Sequence, residues 1–232
     1  MRLKIKLTQN TTPVPIISQH LLNGYVHKCL GANNIYHDGP SDYCVSGLQG
    51  GKLNIVEQTL SFEHGGYFTV SCLDSVFIGK ILMGVLNNTD FGYGMVFAGI
   101  DHINESFYNG WNHFATLSPF LIKKYTDKNE YKFATLKDVD FSTFVKNYLV
   151  TKLSKINNQL DLTDFDVSIP EHVDHKIKKI MVKNVINHAN QCHISIHSND
   201  VVAELLYNIG IGQSTGSGFG TIYKTENKHL YK

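Results

Sequence analysis

Three histidines, His20, His27 and His37, fall within one short stretch near the start of the chain. An imidazole is the side chain best suited to moving a proton near neutral pH. Residues 16–30 read as a helix stopped at Gly31, with Leu21, Leu22, Tyr25 and Cys29 forming an apolar stripe. His20 and His27 are seven residues apart, so they stack on one face, away from that stripe. His37 follows in a loop with Asp38, Gly39 and Pro40, completing a candidate proton-transfer cluster. Tyr25 and Tyr36 add hydroxyls nearby; Lys28, and Lys52 after Gly50-Gly51, are candidate cations. Any one of these histidines alone would read as a surface or capping residue, so the chemical signal lies in the clustering.

A second chemical feature stands near the other end. Gly210-Ile211-Gly212-Gln213-Ser214-Thr215-Gly216-Ser217-Gly218-Phe219-Gly220 places five glycines among small hydroxyl and amide side chains. Such a backbone can take positive φ and turn N–H groups towards phosphate oxygens without a lysine. It is neither a dinucleotide-binding turn nor a P-loop, because a helix precedes it, a strand follows it, and the Lys-Ser/Thr pair is missing. The plain alternative is a flexible connection. Lys123 and Lys124, before Tyr125, and the run Lys176, Lys178, Lys179 and Lys183 supply local positive charge, or an ordinary solvated face.

The elements that must position these groups read as two similar halves. In the first, Leu3, Ile5 and Leu7 alternate with Arg2, Lys4 and Lys6 in a strand. The 16–30 helix follows, then strands over 43–48, 53–61 and 67–73, a helix over 75–86 and a strand over 95–103. In the second, strands over 111–117 and 120–125 precede a helix over 140–158. Strands at 176–187 and 191–197, a helix over 200–208 capped by Asn199 or Asp200, and a strand over 219–224 complete it. Two βαββαβ units imply an α+β chain of two tandem ferredoxin-like (RRM-like) domains, over residues 1–107 and 108–232.

Composition narrows the function classes. With 21 basic and 20 acidic residues, the net charge is +1, so any nucleic-acid site must come from local clustering. Cys29, Cys44, Cys72 and Cys192 show no CxxC pair and read as buried residues of a reducing compartment. The first residues alternate like a strand rather than a signal peptide, and no apolar run is long enough to span a membrane, so a cytoplasmic location is expected. The sequons at Asn10, Asn87 and Asn104 then read as chance matches. His193 with His197, and His172 with His175, have no cysteine or carboxylate completing a set at standard spacing, so neither a metal nor another cofactor is expected.

The pattern glycine-hydrophobic-glycine, five residues, glycine-hydrophobic-glycine, just before the last strand, resembles the signature loop of the RAMP superfamily. More narrowly, it resembles the sixth family of CRISPR-associated proteins, the repeat-RNA endoribonucleases. Ser18-Gln19-His20-Leu21-Leu22-Asn23-Gly24 and Thr116-Leu117-Ser118-Pro119 fit the same resemblance, which spans nearly the whole chain. It implies attack of a ribose 2′-hydroxyl on its 3′ phosphate, without metal, leaving 2′,3′-cyclic phosphate and 5′-hydroxyl ends. The partner is then CRISPR repeat RNA, with effector-complex subunits and a second copy of the chain as further candidates. His37 matches the family's catalytic histidine, and His27 falls where some members carry a tyrosine. Where members with a tyrosine–histidine–lysine triad place the lysine, Ser41 stands here. The resemblance also leaves open a non-catalytic RNA-binding subunit of an effector complex.

Overall fold

Alternation sets the first strand. In β1 (Arg2–Leu7), Leu3, Ile5 and Leu7 are buried, while Lys4 and Lys6 are half-exposed on the other face. The computed structural model describes residues 1–31, 34–36, 42–125, 130–170, 175–182 and 185–226. After β1 come α1 (Gln19–Leu30), β2 (Tyr43–Val45), β3 (Gly66–Cys72), α2 (Ser75–Asn87) and β4 (Met95–Ile103). The sheet runs β2-β3-β1-β4, all neighbours antiparallel, with a short strand Asp90–Gly92 beyond β4. Leu22, Val26, Phe77 and Ile81 of the two helices pack on Ile5, Phe68 and Val70. Gly84 lets the helices approach closely, since a Cβ there would fall 2.1 Å from the Cys29 carbonyl oxygen.

The second half repeats the plan with β5 (Gly110–Thr116), α3 (Phe141–Ile156), β6 (Asp166–Ser168), β7 (His193–Ser198), α4 (Asp200–Ile209) and β8 (Ile222–Lys224). Its sheet runs β6-β7-β5-β8. Both sheets therefore have the second–third–first–fourth order of a ferredoxin-like unit, as the sequence predicts. Asn199 caps α4 by accepting from the Val202 N–H at 2.8 Å, and Asp74 caps α2 through Val76 at 2.8 Å. All four cysteines are free and buried.

Several strand boundaries differ from expectation. The run 176–187 is not one strand: Lys176–Val182 and Val185–Gln191 form a hairpin, with Val182 opposite Val185. Residues 53–61 likewise fold back, as Lys52–Asn54 against Thr59–Ser61, with Val14–Pro15 added as a third strand. The last strand is confined to Ile222–Lys224, and the 120–125 run is a strand only at Lys123–Tyr125, paired with Tyr131–Phe133.

Arg2 also departs from its pattern. It alternates with buried leucines yet is only 1% exposed, because the second half covers that end of the sheet. Its guanidinium donates to the carbonyls of Ile222 and Tyr207 and lies 3.5 Å over the Tyr207 ring. Ser71 donates to the Asn208 carbonyl at 2.8 Å, and the Met1 amine to the Asn208 side chain at 3.0 Å. These buried polar contacts join the two halves.

Candidate functional site

The glycine segment is built from backbone passing close to backbone. Gly210, Gly212, Gly218 and Gly220 have φ of 73°, 80°, 86° and 71°. A Cβ at Gly220 would fall 1.8 Å from the Ile211 carbonyl oxygen, and one at Gly212 would fall 2.6 Å from that of Leu121. Much of the N–H supply is spent internally: Ile211 to Gly220 at 2.9 Å, Gln213 to Leu121 at 2.8 Å, and Gly220 to Pro119 at 3.0 Å. This corrects the expectation of an open cradle. Gly210, Gly212, Thr215, Gly216, Gly218 and Gly220 are buried, Gln213 and Ser217 are half-buried, and Ser214 alone is exposed.

The loop is instead a seam onto the first half. Gln19, at the start of α1, donates through Nε2 to the Ser217 carbonyl at 2.8 Å. Thr215 donates to the Tyr43 carbonyl at 2.9 Å. Lys152, in the last turns of α3, reaches beneath the loop. Its Nζ lies 3.4, 2.9 and 3.3 Å from the carbonyl oxygens of Ile209, Gly210 and Gly212. Burial pulls the Lys152 ammonium down to about 8, against opposing attraction from Cys44 and Asp42. A cleft of about 500 Å³ opens here, lined by Asp42, Tyr148, Lys152, Lys155 and Ser214. Sequence reasoning missed Lys152 and Lys155, because a lysine on an amphipathic helix reads as solvated.

The histidine face of α1 is partly as expected. His20 is exposed, one residue after Gln19; His27 is half-buried, about 10 Å further along the axis. The buried stripe is Leu22, Tyr25, Val26, Cys29 and Leu30, with Leu21 only half-buried. Tyr25 belongs to the core rather than to a reaction site. It is 5% exposed, donates to the Asn88 carbonyl at 2.8 Å, and packs edge-on against Phe68 and Phe91. Burial raises its hydroxyl well above the usual tyrosine value. Tyr36 donates to Asp74 at 2.9 Å. Lys28 is exposed, and Lys52 is exposed opposite Ser61 on the small sheet. His37, with Asp38 to Ser41, lies outside the described residues.

The basic residues divide. Lys124 is paired with Asp138 at 2.7 Å, while Lys123 lies 4.1 Å over Tyr131, and its N–H meets the Gln213 side chain at 3.1 Å. Lys176 and Lys178 are exposed and share a strand face with Ile180 and Val182, which pack with Leu121 and Phe219. The hairpin thus brings positive charge towards the loop. Lys183, His172, Glu171 and Asp174 lie outside the described residues. Among the described residues, no three His, Cys, Asp or Glu side chains gather as a metal site, and no helix is long and apolar enough to cross a membrane.

Residues 103–223 match the family described as CRISPR associated protein Cas6, C-terminal. The chain belongs to the Cas6 family. Its fold is similar to that of a Cas6-related gene product from Pyrococcus furiosus, at 19% identity and a TM-score of 0.85, over 98% of this chain and 99% of that one. A protein described as an RAMP protein binding different RNA substrates gives 17% identity and a TM-score of 0.84, over 97% and 100%. A Cas6 product complex gives 12% and 0.70, over 97% and 99%. No curated protein matches the chain. Membership of Cas6 rests on the family match, and these structures establish the tandem ferredoxin-like fold.

Proposed function

We propose that this Cas6 chain is an endoribonuclease that cuts CRISPR repeat RNA without metal, by attack of a ribose 2′-hydroxyl on its own 3′ phosphate. The observation that carries the reading is the docking of α1 on the glycine loop through Gln19 and Ser217, which brings the helix that bears His20 and His27 against the other half. The proton leaves the 2′-hydroxyl for one general base, and an acid protonates the departing 5′ oxygen, giving a 2′,3′-cyclic phosphate and a 5′-hydroxyl. His37 is the proposed first member of the pair, with His27 or His20 the second. Lys155 and the exposed part of the loop at Ser214 contribute charge and hydrogen bonds along the cleft, in place of the lysine absent at Ser41. Lys123, Lys176 and Lys178 hold the RNA backbone. The domain division proposed at residues 107 and 108, a dimer, and docking onto effector subunits belong to the same reading.

The test is cleavage of labelled repeat RNA in EDTA by wild type, His37→Ala and His20→Ala. A single cut with a cyclic phosphate end, lost in His37→Ala, is expected. Cleavage that survives His37→Ala moves the chemistry to α1. The non-catalytic reading is favoured by the likeness to the RNA-binding RAMP protein and by the removal of Tyr25 into the core; wild type that binds the repeat and never cuts it would establish that reading.

A further inference from the structure

The chain reaches and leaves the segment that carries His37 at two anchored points. Just past α1, the Asn34 side chain donates to the Gly31 carbonyl at 2.7 Å. Tyr36 is half-buried, and its ring meets Phe77 of α2 edge-on at 4.8 Å and Tyr43 at 6.3 Å. Tyr43 in turn packs on Phe77, with ring centres 4.7 Å apart. At the far end, Cys72 Sγ donates to the Asp42 carbonyl at 3.4 Å, and the Tyr43 carbonyl takes the Thr215 hydroxyl of the glycine loop. Residues 36 and 43 therefore meet in one aromatic cluster, on either side of 37–41 in the sequence.

One carboxylate beside that cluster serves two elements. Asp74 caps α2, its Oδ1 accepting from the Val76 N–H at 2.8 Å. Its Oδ2 accepts from the Tyr36 hydroxyl at 2.9 Å. The Lys80 ammonium, further along α2, lies 5.7 Å from the centre of the Tyr36 ring. Burial, then the carboxylate, pushes the Tyr36 hydroxyl up to about 12, and the Tyr36 bond is the first of the donors that hold Asp74 below the usual carboxylate range. Tyr36 is thus committed as a donor and is not itself free to move a proton. Ring packing fixes how deep residue 36 sits, while a directional bond to a helix cap also fixes its orientation. The next α-carbon is only about 3.8 Å along the chain.

We infer that Tyr36 and Asp74 are positioning residues for His37: through Asp74, the N-terminus of α2 sets where the residue after Tyr36 presents its imidazole to the cleaved phosphate. This rests on the proposed function for the role of His37. It adds that the role depends on α2, an element that holds none of the groups assigned to the RNA. An anchored neighbour removes backbone freedom that His37 would otherwise lose only on reaching the reactive geometry.

Two substitutions separate this role from packing and capping. Tyr36→Phe keeps the ring and removes the hydroxyl. Asp74→Ser keeps an N-cap of equal rank but is too short to reach Tyr36. Three quantities are measured in EDTA with labelled repeat RNA: the single-turnover rate at saturating protein, the affinity for the same RNA with a 2′-deoxy sugar at the cleaved nucleotide, and the melting temperature. Both variants should cleave about tenfold more slowly than wild type, bind within about twofold, and melt within about 4 °C of it. The double variant should be no slower than either single one, because both break the same bond. Wild-type rates in the two variants overturn the inference, and so do losses that multiply in the double variant. A loss carried by weaker binding overturns it as well, since Tyr36 would then touch the RNA itself. So does a loss that vanishes on cooling in variants with lowered melting temperatures, which is a merely structural effect. Wild type that never cuts, or His37→Ala that cuts at the wild-type rate, sinks the proposed role of His37 and this inference with it. Failure in the Tyr36 and Asp74 variants alone leaves that role standing.

Discussion

Replacing Lys152 by methionine keeps the length of the stem and removes the cation from beneath the glycine loop. Three carbonyl oxygens, of Ile209, Gly210 and Gly212, lose their shared donor. A buried acceptor left without a partner costs about 1–3 kcal/mol, so the variant should be less stable. The pH dependence is the sharper consequence. Burial lowers the ammonium from 10.5 to about 8 in the folded protein. Between about pH 8 and 10.5 the unfolded chain holds the proton that the folded protein has released, so stability rises with pH in this window. Below it both states are charged, and the fold bears the whole cost of burying the charge, at most about 3 kcal/mol. From about pH 7 to about pH 9 wild type should therefore gain about 1.3 kcal/mol relative to Lys152→Met. Urea unfolding of both proteins at the two pH values measures this, since every other titrating group cancels in the difference. A stability difference that stays flat, or that shrinks as pH rises, would mean that Lys152 titrates as a solvated lysine and does not clamp the loop.

Three further substitutions separate core, helix and loop roles. Tyr25→Phe removes one hydroxyl bond to the Asn88 carbonyl, and should cost about 1 kcal/mol in urea unfolding while leaving repeat-RNA cleavage within about twofold of wild type. A rate loss of a hundredfold would return Tyr25 to the chemistry. Gly24→Ala, at an exposed site on α1 with open space around its would-be Cβ, should raise stability by about 0.5–1 kcal/mol. Gly220→Ala places a Cβ against the Ile211 carbonyl at positive φ, and should cost more than about 2 kcal/mol and loosen the loop, seen as faster amide exchange at Ile211.

The order of elements was legible because the sequence obeys simple periods. Leu3, Ile5 and Leu7 alternate, and Phe141, Val145, Leu149 and Leu153 recur at helical spacing and are all buried on α3. The hairpins were not legible because their turns carry no glycine or proline. At residues 54–58 the Asn54 side chain accepts from the Val56 and Glu57 backbones, and Gln58 takes φ of 54°, which apolar alternation conceals. The histidines of α1 could be placed on the polar face and Tyr25 in the apolar stripe; what the sequence did not show was the Asn88 carbonyl that takes the Tyr25 hydroxyl. Arg2 and Lys152 failed for one reason. Both are cations satisfied by backbone carbonyls from the distant residues 207–222, and no local pattern announces such a partner.

That shared logic bears on what the glycine motif does. If the loop were chiefly a phosphate cradle, its N–H groups would face outwards and its glycines would line a surface. Instead the glycines at positive φ press against the backbones of Ile211 and Leu121 and the side chain of Gln19. Lys152 holds the carbonyl side from α3, and Gln19 holds the Ser217 carbonyl from α1. The loop therefore fixes where α1 sits relative to the second half, and with it His20 and the open cleft at Ser214. Under the proposed function the loop would contribute by position: glycine is needed so that two halves can meet at backbone distance, and Gln213, Ser214 and Ser217 are the loop side chains left at the surface for an RNA to meet.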